Sequence, residues 1–290
     1  MRTSQISNRR LKRLLIILIA FIITIVASYF LYHSYADWQS KQSTANAETA
    51  RQDALKSAAA AREAKKKEPV YIALPGATKI RAIISDYNST DSIWQLVNKS
   101  HPLSTDFEPS NLIIPNVATR TDKSTAERSV RLDVADALKL MFDDAKASGY
   151  DLMIGSGYRS ASLQDTYFNS LAASVGDVAA NQSIAKPGQS EHQTGLSVDI
   201  SGTNMNCYID TCFADTDEGK WLASNSYKYG FILRFPSDKV DITGYRYEPW
   251  HFRYVGVDLA TAIYQSKLTL EEAWPYLEKA QTTLKSNGAL

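Results

Sequence analysis

Two short segments of this 290-residue chain hold the residue types that a hydrolytic metal site needs. Residues 190–199 read Ser-Glu-His-Gln-Thr-Gly-Leu-Ser-Val-Asp and carry His192 and Asp199, while residues 248–251 read Glu-Pro-Trp-His and carry Glu248 and His251. Catalytic zinc is usually held by three side chains drawn from His, Asp and Glu, with its fourth position open, and such a metal acidifies water toward neutral pH. His192, Asp199 and His251 can supply the three ligands, and Glu248 is then left over as a base for a water proton. The chain has no H-E-x-x-H pair, so the expectation rests on spacing and context.

Gly195 permits a turn between His192 and Asp199, and Leu196 and Val198 alternate around Ser197 as in a strand. Asp199 then shares a face with Ser197, opposite Val198. A carboxylate ending an apolar strand is costly unless something cationic compensates it. Around the second segment stand Tyr245, Tyr247, Trp250 and Phe252, an aromatic setting that excludes water and strengthens electrostatics. The plainer alternative is an aromatic strand with a buried Glu248–His251 ion pair. His101 precedes Pro102, has no acidic or imidazole neighbour in sequence, and reads as structural.

The elements that must position these residues belong to an α+β fold with a small, mainly antiparallel sheet flanked by helices. Ser124 and Glu127 have capping-box spacing, and Val134, Leu138 and Met141 recur on one helical face that Gly149 ends. Leu152-Met153-Ile154 reads as a buried strand, residues 162–175 as a helix, and residues 220–229 as a helix stopped by Gly230. Phe231-Ile232-Leu233 reads as another strand, leading through a hairpin-like stretch to residues 251–255, and Thr269 with Glu272 caps a final amphipathic helix. Helices and strands do not alternate as in a Rossmann fold or barrel.

Ahead of this lies a different kind of sequence. Arg2, Arg9, Arg10, Lys12 and Arg13 form a basic tail over 1–13, followed by an uncharged apolar run over 14–32. As a helix that run spans roughly 28 Å, close to the hydrocarbon thickness of a bilayer. It is too long for the apolar core of a cleaved signal peptide, so it reads as a transmembrane signal anchor contacting the lipid bilayer. The basic cluster before it places the N-terminus in the cytoplasm and everything after it outside. Residues 33–69 read as a helical or disordered stalk, with nine alanines over 45–64 and no broad apolar stripe. Residues 70–120 read as an extended segment wrapping the main domain, 121–290. Without its basic tail the chain has fewer Lys and Arg than Asp and Glu, which argues against nucleic-acid binding. Cys207 and Cys212, the only cysteines, could close a small disulfide loop in an oxidising exterior or remain free thiols.

Taken in order, Ser156-Gly157-Tyr158-Arg159-Ser160 with Gln164, Ser190-x-His192-x-x-Gly195-x-Ser197-x-Asp199, and Glu248-x-Trp250-His251-x-Arg253 resemble the VanY-type zinc D-alanyl-D-alanine carboxypeptidases and the similar L,D-carboxypeptidases of bacterial cell walls. Ser197 stands where that family commonly has Ala, a small-for-small difference. The resemblance implies a DD-peptidase or hedgehog-like fold and one zinc ion on His192, Asp199 and His251, with Glu248 as general base and then acid. It implies that Arg159 binds the substrate carboxylate or the developing oxyanion, with Ser190 and Gln164 as further substrate contacts and Arg253 supporting a ligand from behind. The expected substrates are peptidoglycan stem peptides, losing a C-terminal D-alanine by D,D-cleavage of a pentapeptide. L,D-cleavage of a tetrapeptide is the alternative, and an inactive peptidoglycan-binding module is the alternative of another class.

Overall fold

The computed structural model describes residues 3–290. Helix α1 (Thr3–Lys67) opens the chain. Its 65 residues amount to roughly 98 Å at about 1.5 Å per residue. The apolar run over 14–32 lies inside it, and among the described residues it is the one helix long and apolar enough to cross a membrane. Without Gly or Pro to interrupt it, the helix continues to Lys67, so the segment expected to be a helical or disordered stalk is helical nearly throughout. The chain divides into two compact units, Met1–Lys65 and Lys66–Leu290, and the second carries everything that follows.

That unit begins with a hairpin of β1 (Tyr71–Ile72) and β2 (Ile80–Arg81). Much of the sequence up to residue 120 is irregular, and it is fastened by Tyr87, Trp94 and Leu96, all buried. The Trp94 indole N–H donates to the Val255 carbonyl at 2.8 Å, satisfying the one polar atom its burial would otherwise strand. Strand β3 (Leu112–Ile113) pairs antiparallel with β4 (Val130–Arg131).

The Ser124–Glu127 pattern does form a reciprocal box, with Glu127 N–H donating to Ser124 Oγ at 3.2 Å and Ser124 N–H to Glu127 Oε2 at 3.3 Å. It closes an isolated turn rather than opening the helix. Residues 130–131 are drawn into pairing with β3, and α2 (Leu132–Ala147) starts only after them, burying Val134, Leu138 and Met141. Glu127 also accepts from Lys123 Nζ at 2.9 Å and from the Tyr167 hydroxyl at 2.6 Å. Burial opposes its ionisation, yet these donors and Ser124 hold the carboxyl down at about 2. A depressed carboxylate stabilises the fold above its ordinary value of 4.5, and that contribution is lost as pH falls through about 2. Glu127→Gln should therefore destabilise the protein at pH 7, and its deficit against the parent should shrink in denaturant titrations run toward pH 2.

Strand β5 (Leu152–Ser156) is followed by α3 (Ala161–Val175), whose N-cap Ser160 accepts from the Leu163 N–H. The short α4 (Asp177–Ser183) comes next, an element the sequence reading did not resolve. Strand β6 (Ser197–Gly202), α5 (Asp217–Asn225), β7 (Phe231–Leu233), α6 (Val240–Thr243), β8 (His251–Tyr254), α7 (Val257–Ser266) and α8 (Leu270–Ser286) complete the unit. The expected capping box at Thr269 and Glu272 opens α8. The central sheet is antiparallel in the order β5-β6-β8-β7. One apolar cluster joins α2 to the sheet through Leu138, Met141, Val198, Ile200 and Phe252, and another joins Trp94 to α7 and α8. The sheet is covered by apolar packing, so β6 is buried along its whole length.

Candidate active site

Strand register brings the distant segments together. Asp199 sits on β6 directly opposite His251 on β8 and, on its other side, opposite Ser156 at the end of β5. His192 reaches the same place from a 3-10 turn, Glu191–Thr194, that ends at Gly195 with φ of 70°. A side chain there would meet the left-handed backbone penalty and bring its Cβ within 2.9 Å of Leu112 Cδ2, which is why glycine separates the turn from the strand. Glu248 arrives through a tight turn closed by His251 N–H donating to the Glu248 carbonyl at 3.1 Å.

Asp199 Oδ1 lies 3.3 Å from His192 Nε2 and 3.2 Å from His251 Nδ1. The ligating atoms of the three residues all fall within 4.8 Å of one another, and all three side chains are buried. His192 Nδ1–H donates to the Gly157 carbonyl at 2.5 Å, which fixes the tautomer and leaves Nε2 as a lone-pair donor toward Asp199. His192 Nε2 and Asp199 Oδ1 are buried without a hydrogen-bond partner. One neutral imidazole and a carboxylate with unspent lone pairs, beside the Nδ1 of a second imidazole that a cation would strip of its proton, could hold a divalent metal ion.

The electrostatics agree with that fit. Burial and the Arg159 guanidinium push His192 down to about 4 against the pull of Asp199, so its imidazole is neutral. Burial acts the same way on His251, but Asp199, Glu191 and Glu248 face it and push it up to about 9. A cluster this rich in carboxylate favours a cation at its centre. Glu248 Oε2 stands 3.6 Å from His251 Nδ1, and burial together with Asp199 pushes its carboxyl up to about 7. A carboxylate with that pKa is matched to taking and returning a proton near neutrality.

Arg159 Nη2 lies 3.8 Å from Asp199 Oδ2, and the Arg159 N–H donates to the His192 carbonyl at 3.2 Å. Its Nε is buried and unpartnered. Gln164 Nε2 donates to the Ala185 carbonyl at 2.7 Å, which leaves Oε1 free, and Ser190 is buried beside it. The seven residues expected to bind metal, bind substrate or act as the base, His192, Asp199, His251, Glu248, Arg159, Ser190 and Gln164, line a single cavity of about 140 Å³. Arg253 does not reach it. Fully buried, Arg253 places Nη1 2.9 Å from Glu191 Oε1 and donates to the Gln95 carbonyl at 2.8 Å.

The sequence reading missed Glu191 and Arg234. Glu191 is fully buried behind the cluster, with Oε1 2.9 Å from Arg234 Nε and from Arg253 Nη1, and with Oε2 3.8 Å from His251 Nε2. Ser197 Oγ donates to Oε2 at 3.2 Å. The two guanidinium groups hold this carboxyl far below the usual range despite its burial. Arg234 in turn pairs with Glu271 at the start of α8, at 2.6 Å. A charged residue between Leu233 and Phe235, in an apolar run, was the legible signal that a buried partner exists.

The model of the D-alanyl-D-alanine carboxypeptidase family VanY matches residues 127–257, a span that contains every residue of the cluster. A putative carboxypeptidase, YodJ of Bacillus subtilis (strain 168), is 46% identical over 191 residues, covering 66% of this chain and 69% of that protein. The chain belongs to the VanY family. Another relative, the bifunctional D-Ala-D-Ala dipeptidase and D-Ala-D-Ala carboxypeptidase VanXYC of Enterococcus gallinarum, is 35% identical over 193 residues, which is 65% of this chain and 95% of that protein. Among solved structures, the LdcB LD-carboxypeptidase aligns with a TM-score of 0.59 at 46% identity, covering 62% of this chain and 85% of that chain. A mutant of the D,D-pentapeptidase VanY from a VanB-type resistance cassette, in complex with Zn(II), aligns at 0.50 with 33% identity, covering 62% and 98%.

Proposed function

We propose that this VanY-family protein is a zinc-dependent carboxypeptidase that removes the C-terminal D-alanine from peptidoglycan stem peptides, anchored through residues 14–32 with its catalytic unit outside the membrane. The observation that carries the reading is the convergence of His192, Asp199 and His251 with a fourth carboxylate, Glu248, 3.6 Å from a ligand nitrogen. A catalytically silent binding module would need the cation and the cavity but has no use for a base with a pKa near 7.

In this reading His192 Nε2, Asp199 and His251 Nδ1 would hold the zinc, which would supply Lewis-acid polarisation of the scissile carbonyl and acidify water. Glu248 takes the proton from the attacking water and gives it to the departing D-alanine amine, so that one peptide bond breaks and one water is consumed. Arg159, permanently charged, steadies the substrate carboxylate or the developing oxyanion. Ser190 and the free Gln164 Oε1 orient the terminal residue inside the small cavity. D,D-cleavage of pentapeptides is the first reading. L,D-cleavage of tetrapeptides is the second, favoured by the likeness to the LdcB structure.

Incubating the purified full-length chain with pentapeptide and tetrapeptide stems should release free D-alanine from at least one of them. Removing the metal with a chelator should abolish the release, and adding zinc back should restore it. A zinc-loaded chain that releases D-alanine from neither stem would refute the proposal.

A further inference from the structure

The loop between β6 and α5 does more than connect them. Cys207 and Cys212 form a disulfide that ties the ends of a short loop together. Inside and beside it, Met205, Cys207 and Ile209 all have left-handed backbones, with φ of 59°, 55° and 51°. Side chains other than glycine seldom adopt this conformation, so the chain has no local preference for the shape and the cross-link helps to hold it. Asp210 adds a side-chain bond, its Oδ1 accepting from the Cys212 N–H at 3.0 Å.

The loop delivers one side chain, Ile209, to the site and another, Tyr208, to the neighbouring cavity. The Arg120 guanidinium stands 4.7 Å from the centre of the Tyr208 ring, and the Tyr208 hydroxyl donates to the Gly155 carbonyl at 3.4 Å. Any side chain at position 155 would bring its Cβ within 2.8 Å of that ring, so the glycine in β5 is what lets Tyr208 lie close over the strand. Ile209 follows, 39% exposed although it is large and apolar. It lines the cavity that holds the metal cluster and also a neighbouring cavity of about 460 Å³. Arg159 and Asp199 border both cavities as well, so Ile209 stands with them on the divide between the two.

For a carboxypeptidase this position has a consequence. With the leaving residue in the small cavity, the rest of the stem would exit past His192, Asp199 and His251 toward the neighbouring cavity. The acyl-side residue then crosses the divide, where Ile209 is the apolar surface available to it. We infer that the disulfide-closed loop 207–212 forms the wall against which the acyl-side stem residue packs, with Ile209 as the contact and the Cys207–Cys212 bond as the element that positions it. This rests on the reading of the site as a stem-peptide carboxypeptidase.

The test uses the full-length chain with pentapeptide and tetrapeptide stems, measuring kcat, KM and zinc content for the parent, C207S/C212S, Ile209→Ala and Ile209→Val. In C207S/C212S and Ile209→Ala, KM for the preferred stem should rise about tenfold, with kcat within roughly threefold of the parent. Zinc content should not change, and Ile209→Val, which keeps most of the apolar surface, should raise KM less than Ile209→Ala does. A loop that only scaffolds the fold would instead lower kcat or zinc content at constant KM, and that result overturns the inference. So does a KM unmoved in both C207S/C212S and Ile209→Ala while the parent turns over. A parent that releases D-alanine from neither stem overturns the reading of the reaction and this inference with it.

Discussion

Glu248→Gln should lower kcat by about 10²–10⁴-fold while leaving metal content and substrate affinity close to those of the parent. The amide keeps the size and most of the hydrogen-bonding capacity of the carboxylate but cannot accept a proton from water. Glu248 touches the cluster only at 3.6 Å, from Oε2 to His251 Nδ1, whereas Asp199 lies 3.2 Å from the same nitrogen, so a cation held there would not depend on Glu248. The pH profile of kcat/KM gives a second readout. Glu248 works as a base only when ionised, and with its carboxyl pushed up to about 7, turnover should fall as pH drops through an acid limb. The positive charge of a bound metal ion would draw that limb below 7, and in Glu248→Gln the limb should disappear from whatever activity remains. Substrate binding that survives with unchanged turnover would mean that the base is another group.

Glu191→Ala should cost about 3–5 kcal/mol of stability, which for a unit of this size lowers the melting temperature by roughly 10 °C. The reason is what the substitution leaves behind. Arg234 and Arg253 are both fully buried, and Glu191 Oε1 is 2.9 Å from each. Arg234 would keep Glu271, but Arg253 would be left with the carbonyls of Ile93, Gln95 and Tyr254 alone. A buried cation without its counter-charge is among the costliest defects a core can carry. His251 would also lose the carboxylate facing its Nε2 at 3.8 Å, the contact that turns Nδ1 toward Asp199. Metal affinity should fall about 10–100-fold in a chelator-competition titration. Glu191→Gln, which keeps the shape and loses the charge, should fall between Ala and the parent. A stability loss under about 1 kcal/mol would mean that the arginines find other partners.

How far the sequence could be read depended on how local each signal was. The site segments were legible because their residue types occur in short motifs: a turn, a glycine and an alternating strand predict where His192 and Asp199 can sit, and the structure sets them and five further candidates around one cavity. The strand read over 152–154, which the structure extends to Ser156, and the capped α8 were equally local. The Ser124 box misled because its hydrogen bonds form in an isolated turn as readily as at a helix start, and strand pairing of Val130 with Ile113 decided between the two. The Glu191–Arg234–Glu271 chain was invisible for the opposite reason. Its members are separated by 43 and 37 positions, and no periodicity relates them. Only the oddity of an arginine in an apolar run hinted that they meet.

The Asp199–His251 pairing across adjacent strands has one more implication. Two of the three proposed ligands are rungs of the same ladder, so their spacing is set by backbone pairing and not by the long excursions between them. Insertions within residues 203–216 or 236–247 can therefore reshape the mouth of the site without shifting those donor atoms. A single residue inserted into β8 would do the reverse, turning His251 to the opposite face. Diversification of this scaffold, natural or engineered, has its freedom in the excursions and its hard limit in the rungs.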